Sequence, residues 1–259
     1  MEFQYKGINI SYTYEGKGTA LILLHGFLEN QSMWKELVST WATKYKVITI
    51  DLLGHGKTGN LGYVHTMEDQ ADMVIALLEH LRLRKAVFMG HSMGGYVSLA
   101  IAELYPEFVK GLILLNSSAR ADSPDKQIMR SRAIEAVKKD ADLFIELSIT
   151  NLFAEQHRED FSQAIEWVKQ EAKQTSLQGI IAASEGMKIR ADREVILHFA
   201  PYPIAYIAGI HDPIMPIESV REQIEGSKVM LHEIPSGHMA HLECVDTVKQ
   251  TVLDFRKAL

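Results

Sequence analysis

Lys85-Ala86-Val87-Phe88-Met89-Gly90-His91-Ser92-Met93-Gly94-Gly95 is the stretch whose reading decides the fold. Lys85–Gly90 has the length and the apolar run of a buried strand. A small-residue helical pattern follows over Gly94–Tyr105 and is stopped by Pro106. Between them, Gly90-His91-Ser92-Met93-Gly94 fits G-x-S-x-G. At this composition the pattern arises by chance in roughly one chain of fifteen. The setting raises it above chance. A serine on a sharp strand-to-helix turn sits in strained backbone, and its neighbours have to be small to avoid a clash. The bland alternative is a glycine-rich turn that happens to carry a serine.

Working outward, the chain keeps one rhythm on both sides of this turn. Phe3–Tyr14 alternates and is broken at Lys6-Gly7, a hairpin pattern. Thr19–Leu24 and Lys46–Ile50 read as buried strands, with helical spacing over Gln31–Ala42 between them. A capping pattern at Thr66 opens a helix that runs to about Leu81. Gly111–Leu115 is a further strand. Strands that alternate with helices at this spacing predict an α/β fold with a mostly parallel, doubly wound sheet and helices on both faces. From about Ala119 to Ala200 no strand pattern is found. Helical patterns run over Gln127–Lys139, Asp142–Phe153, Arg158–Lys173 and Leu177–Lys188. Strands resume at Pro203–Ala208 and Lys228–Ile234, with no helix assigned between them, and a last amphipathic helix spans about Val245–Leu259. The expected organisation is a core of residues 1–118 and 201–259 with a helical insertion at 119–200.

A nucleophilic serine needs a base and a group that orients the base. In the chain order Ser…Asp…His, the acid and the base lie downstream. Asp212 follows one strand in Gly209-Ile210-His211-Asp212-Pro213, and His238 follows the next in Pro235-Ser236-Gly237-His238. Open α/β sheets bind ligands beyond their strands' carboxyl ends. Three strands therefore deliver Ser92, Asp212 and His238 to one edge. The oxyanion needs two N–H donors. Met93, after the serine, and Phe27, in His25-Gly26-Phe27 after the first buried strand, are the candidates. Phe27, Leu28, Met93, Met215 and Met239 flank the motifs and predict an apolar pocket. Phe144, Leu147, Phe153 and Trp167 are candidates to close it from the insertion. No cationic cluster lies near the motifs in sequence.

Competing readings are weaker. Gly54-His55-Gly56-Lys57-Thr58-Gly59 formally fits G-x-G-x-x-G, but the next helix begins only near Thr66, so no helix N-terminus is offered to a pyrophosphate. Gly56-Lys57-Thr58 resembles the end of a phosphate loop, but Asp51 stands where its first glycine is required. His238 and His241 have metal-like spacing without a third ligand in sequence, so neither a metal nor any cofactor is expected. His25 reads as a loop-positioning residue and His91 as one facing the core or a neighbouring loop. His55, His65, His80, His157, His198 and His232 read as surface or packing residues.

Composition sets the outer limits. The chain has 259 residues, a net charge of −6, 47% hydrophobic residues and a single cysteine, Cys244. The negative charge argues against nucleic acid or an anionic membrane as partner. One cysteine forms no internal disulfide. No apolar run approaches the roughly 20 residues of a membrane helix, and Met1–Lys6 lacks the pattern of a secretory signal. A cytoplasmic enzyme acting on a small molecule is expected, its oligomeric state unread.

Taken together, Leu24-His25-Gly26-Phe27, Asp51-Leu52-Leu53-Gly54-His55-Gly56-Lys57-Thr58, Gly90–Gly95, Gly209–Pro216 and Ser236-Gly237-His238 resemble the α/β-hydrolase-fold family over nearly the whole chain. Thr58 stands where the family usually has serine. The resemblance implies that the insertion is a helical cap over the active site. It also implies a serine esterase rather than the aspartate-nucleophile branches, since Ser92 occupies the nucleophile position. Some members take the acid from the end of the strand before the cap. Asn116 is there, which leaves Asp212. The expected activity is hydrolysis of a small, mainly apolar carboxylic ester through an acyl-enzyme. The alternatives are C–C bond hydrolysis or a lyase step on the same residues, which Met239 disfavours because such relatives often carry an aromatic residue after the histidine, or a ligand receptor without turnover.

Overall fold

The structure, a computed structural model, describes residues 1–259. Eight strands form one sheet in the order β1-β2-β4-β3-β5-β6-β7-β8: β1 (Glu2–Tyr5), β2 (Ile8–Gly16), β3 (Thr19–Leu24), β4 (Tyr45–Ile50), β5 (Ala86–His91), β6 (Val109–Leu115), β7 (Ile204–Gly209) and β8 (Met230–Ile234). The β1–β2 and β2–β4 pairs are antiparallel and all the others are parallel. The expected doubly wound, mostly parallel sheet is present.

The central strands read as continuous apolar runs because both of their faces are covered. In β3 the side chains of Ile22 and Leu24 enter one core, and those of Leu21 and Leu23 the other. Phe88 and Leu112 share the first core, whereas Val87, Met89 and Ile113 share the second. The first core is closed by α2 (Met67–His80) and α3 (Met93–Leu104) through Met73, Leu77, Val97 and Ile101. The second is closed by α1 (Lys35–Trp41) through Leu37 and Trp41, and by the C-terminal helix Val245–Phe255 through Val248 and Val252.

Between β6 and β7 there is no strand. Five helices stand there: α4 (Pro124–Lys139), α5 (Ala141–Thr150), α6 (Ser162–Ala172), α7 (Leu177–Lys188) and α8 (Glu194–Phe199). Ile145, Ile149, Phe153, Ile165, Val168 and Ile180 of this segment form a third apolar cluster. That cluster also takes in Leu28 and Met239, which lie in the loops after β3 and β8. The segment therefore sits against the loops that carry the sequence motifs. Three short helices lie outside the sequence expectation: α8, α9 (Ile217–Ile224) between β7 and β8, and α10 (Ala240–Glu243) after β8. No helix is long and apolar enough to cross a membrane.

Candidate active site

Register places the site. Leu24 pairs with Gly90, His91 with Leu115, Leu115 with Ile207, and Gly209 with Ile234. The carboxyl ends of β3, β5, β6, β7 and β8 are therefore level. The next residues along each strand, among them Phe27, Ser92, Asn116, Asp212 and His238, emerge on one edge.

Ser92 links β5 to α3 with φ 48° and ψ −112°. A non-glycine residue with such a φ is strained, at a cost of order 1–3 kcal/mol. The surroundings hold it there. Ser92 N–H donates to Leu115 O at 3.0 Å, and Ser117 Oγ donates to Ser92 O at 2.8 Å. The turn closes only without side chains beside it. A Cβ on Gly90 would overlap the Gly94 carbonyl, and one on Gly94 would overlap the Leu24 carbonyl.

Asp212 accepts a hydrogen bond from His238 Nδ1 at 2.8 Å and another from Asn116 Nδ2 at 2.8 Å on the same oxygen, Oδ2. Its Oδ1 accepts from the Ile214 and Met215 N–H groups at 2.8 and 2.9 Å. Burial pushes this carboxyl up. The His238 charge and the bonds from His238, Asn116 and Met215 outweigh that and hold it below the usual carboxylate range. Asn116, itself at φ 45°, thus occupies the position from which some relatives draw their acid, and there it serves Asp212.

The His238 loop is fixed from two sides. His238 N–H donates to Leu152 O of the segment between β6 and β7 at 2.7 Å. His238 O accepts from His91 Nε2 at 2.9 Å. Ser92 and His238 line one cavity of about 220 Å³, together with Phe27, Leu28, Tyr96 and Phe144. The only side-chain bond of His238 is the one to Asp212, so the Ser92 hydroxyl is not bonded to it in this geometry. Such bonds are often long before substrate arrives.

The Met93 N–H opens α3, where the first N–H groups have no acceptor within the helix. Phe27 follows Gly26, whose N–H donates to Glu29 Oε2 at 2.7 Å. His25 does position this loop: its Nε2 accepts from Leu52 N–H at 2.9 Å and its Nδ1 lies 2.8 Å from Gly26 O.

Glu29 escapes a motif reading. Buried at 5% exposure, its Oε2 also accepts from His91 Nδ1 at 2.7 Å. Burial opposes its ionisation, but His91, with His241 and His25 further off, pulls the carboxyl down to about 2. Burial lowers His91, and the Glu29 charge and bond reverse that, so the imidazole is raised above its ordinary value. One carboxylate thereby ties the loops after β3, β5 and β8 together. The signal was a lone acid in the apolar run Phe27-Leu28-Glu29. His91 faces both the core and these loops. His241 adds a third group, and the three bring one ligand atom each within 4.8 Å of one another. Glu29 and His91 form the hydrogen-bonded pair of the trio, and His241 stands 3.7 Å from Glu29 Oε1, burial holding its ring neutral.

Of the expected pocket residues, Phe27, Leu28 and Phe144 line the cavity, and Met215 lines an adjoining one. Met93 is buried beneath it, and Met239 and Phe153 belong to the third apolar cluster. Leu147 and Trp167 are largely exposed and line neither cavity. No cationic cluster flanks the motifs in sequence, yet Arg130 of α4 reaches the cavity that Ser92 lines. It was invisible beside the motifs because it is distant from them in sequence. Of the histidines read as surface or packing residues, His55 and His65 are packing residues, both buried. At Gly54–Gly59 the chain turns without starting a helix, and α2 opens at Met67 behind the Thr66 cap, as expected.

The model of the alpha/beta hydrolase fold family matches residues 19–244. The dihydrolipoyllysine-residue acetyltransferase component of the acetoin cleaving system of Pseudomonas putida is 29% identical over 92% of this chain. This chain spans 63% of that relative's length. The 3-oxoadipate enol-lactonase 2 of Acinetobacter baylyi is 27% identical, covering 87% of this chain and 88% of its own. A solved thermophilic esterase from Thermogutta terrifontis, with malate bound, superposes with a TM-score of 0.90 at 31% identity, covering 99% of this chain and 96% of that one. The chain belongs to the alpha/beta hydrolase fold family and is a hydrolase enzyme of that family.

Proposed function

We propose that the chain is a serine hydrolase that cleaves a small carboxylic ester through an acyl-enzyme. The observation that carries this reading is the buried Asp212–His238 bond beside a strained Ser92, with His238 and Ser92 in one cavity. His238 Nε2 takes the Ser92 proton as Oγ attacks the ester carbonyl. Asp212 orients the ring and stabilises its charged form. The Phe27 and Met93 N–H groups hold the oxyanion, the latter aided by the N-terminus of α3. His238 then gives the proton to the departing alcohol oxygen. A water attacks the acyl group, passes its proton to His238, and the acid leaves as Ser92 is restored. Residues 119–200 act as a cap, supported by their packing on Leu28 and Met239. The mainly apolar walls, Phe27, Leu28, Phe144 and Ile149, suit the body of an apolar ester. No cofactor is required by these steps.

The experiment is hydrolysis of short-chain aryl esters by the wild-type protein and Ser92→Ala, with a fluorophosphonate probe read by mass spectrometry. Turnover that falls by about 10³-fold or more in Ser92→Ala, with label on Ser92, is the expected result. Equal rates in the two proteins, or label elsewhere, would sink the assignment.

A further inference from the structure

The cavity beside Ser92 is apolar on most of its wall, but Arg130 brings a cation to it. A second cavity of about 620 Å³ shares Tyr96, Arg130, Phe144 and Ile214 with it. The charged residues on its wall are Lys126, Arg130 and Asp122. Asp122 is buried, and two arginines share its carboxylate: Oδ2 bonds Arg130 Nε, and Oδ1 bonds Arg190 Nη1 at 2.7 Å.

The two arginines differ in what they have left to give. Arg190 is spent. Its Nε and Nη2 donate to Arg120 O at 3.2 and 2.9 Å, and its Nη1 donates to Met187 O at 2.9 Å. It lies 4.0 Å over the Tyr96 ring. Arg130 uses only Nε, so its two terminal nitrogens carry N–H donors with no protein acceptor. Lys126, Arg130 and Arg190 against Asp122 leave two positive charges in excess, in a chain whose net charge is −6. The one carboxylate on the wall of the Ser92 cavity, Glu29, is already paired with His91.

A guanidinium with two free, parallel N–H donors beside a low-dielectric cavity fits a carboxylate in a bidentate arrangement. We infer that Arg130 is a subsite for a carboxylate at the end of the substrate remote from the scissile bond, and that the preferred substrates are half-esters or lactones of dicarboxylic acids. The inference rests on the serine-hydrolase reading and deepens it. The apolar walls hold the methylene chain between the two ends. Asp122 sets the guanidinium's plane through Nε and leaves the other edge for the ligand. The local positive charge also draws an anion to a protein that would otherwise repel it.

The test compares methyl half-esters of a dicarboxylic acid series with the methyl esters of the matching monoamides, which have the same shape without the charge. At the best chain length, kcat/KM for the half-ester exceeds that for the amide on the order of tenfold, as a charge-assisted pair supplies. The ratio falls at high salt and drops toward one in Arg130→Gln, and Arg130→Lys restores part of it. A ratio near one at every chain length in the wild-type protein overturns the inference. So does a ratio unchanged in a folded Arg130→Gln variant. Calorimetric binding of the half-ester and the amide ester to Ser92→Ala reads recognition apart from turnover. If neither ester is turned over by a Ser92-dependent route, the esterase reading fails, and this binding difference alone decides for or against the subsite.

Discussion

At the scale of single residues, Glu29 carries more than its position in the chain suggests. Its buried carboxylate accepts from Gly26 N–H and His91 Nδ1, and His91 passes the tie on to His238 O. Removing one partner of a buried ion pair leaves the other charge uncompensated, typically at about 3–5 kcal/mol. Glu29→Ala strands a buried His91 in this way. It is expected to lose stability of that order in urea denaturation. Glu29→Gln is milder, because an amide oxygen in the place of Oε2 can still accept from Gly26 N–H and from the Nδ1–H of an uncharged His91, at the expense of the His91 bond to His238 O. A Glu29→Ala loss below about 1 kcal/mol, or equal losses in both variants, would show that the pair is not an uncompensated-charge problem. Ser92, Asp212 and His238 were legible in the sequence because each stands in a short motif at a strand end. Glu29 was not, since its partners lie on other loops and pair with it only in the folded chain.

At the scale of elements, the β5–Ser92–α3 turn was legible in full: strand, strained serine, small neighbours and helix fall where the pattern placed them. The same turn predicts an order of damage. On Gly94 a Cβ would meet the backbone of Leu24 and His25, which cannot move without disturbing β3. On Gly95 it would meet Oγ and Cβ of Ser117, of which only Oγ can rotate away, at the expense of its bond to Ser92 O, so one residue's backbone has to shift slightly rather than that of two. Gly94→Ala should therefore lower the melting temperature more than Gly95→Ala, the first by overpacking against fixed backbone at about 1–3 kcal/mol or more. A Gly94→Ala protein as stable as wild type would refute this account of the turn. The insertion was legible as helices but not in its boundaries. The expected start of α4 at Gln127 is three residues late, because Ser123 caps the helix by accepting from Lys126 N–H and Pro124 opens it. The expected start of α6 at Arg158 is early, because the chain there makes a short 3-10 turn before Ser162. α8 and α9 span six and eight residues, too few turns for a hydrophobic stripe to repeat.

At the scale of the whole molecule, buried titratable groups make acid the weak side of the fold. His55 and His241 are buried with no carboxylate hydrogen-bonded to either, and burial lowers both to about 3. His25 is lowered as well, burial again outweighing the nearby Asp51. These rings are neutral in the fold and take up a proton readily once unfolded, near pH 6.5. For His55 and His241, between that value and about 3 the unfolded chain therefore binds more protons, and stability falls as pH falls, by up to ~1.4 kcal/mol per pH unit for each ring, and His25 acts with the same sign. Glu29 and Asp212, both lowered, act with the same sign at the acid end: their contributions are complete above the ordinary carboxylate range and are lost as pH drops below it. His91 opposes them, since a raised imidazole stabilises the fold most on the acid side of its ordinary value and loses that contribution as pH rises. One raised ring against four lowered ones, His65 being lowered by burial as well, and three buried carboxylates, with Asp122 held down by its arginines, leaves acid destabilisation in the majority. The melting temperature should fall steadily from pH 7 to pH 4. His241→Gln, which removes one of the lowered rings without adding a charge, should flatten the slope of stability against pH between 6.5 and 4, whatever it does to stability at pH 7. A slope unchanged in that variant would mean that His241 is not held neutral by the fold.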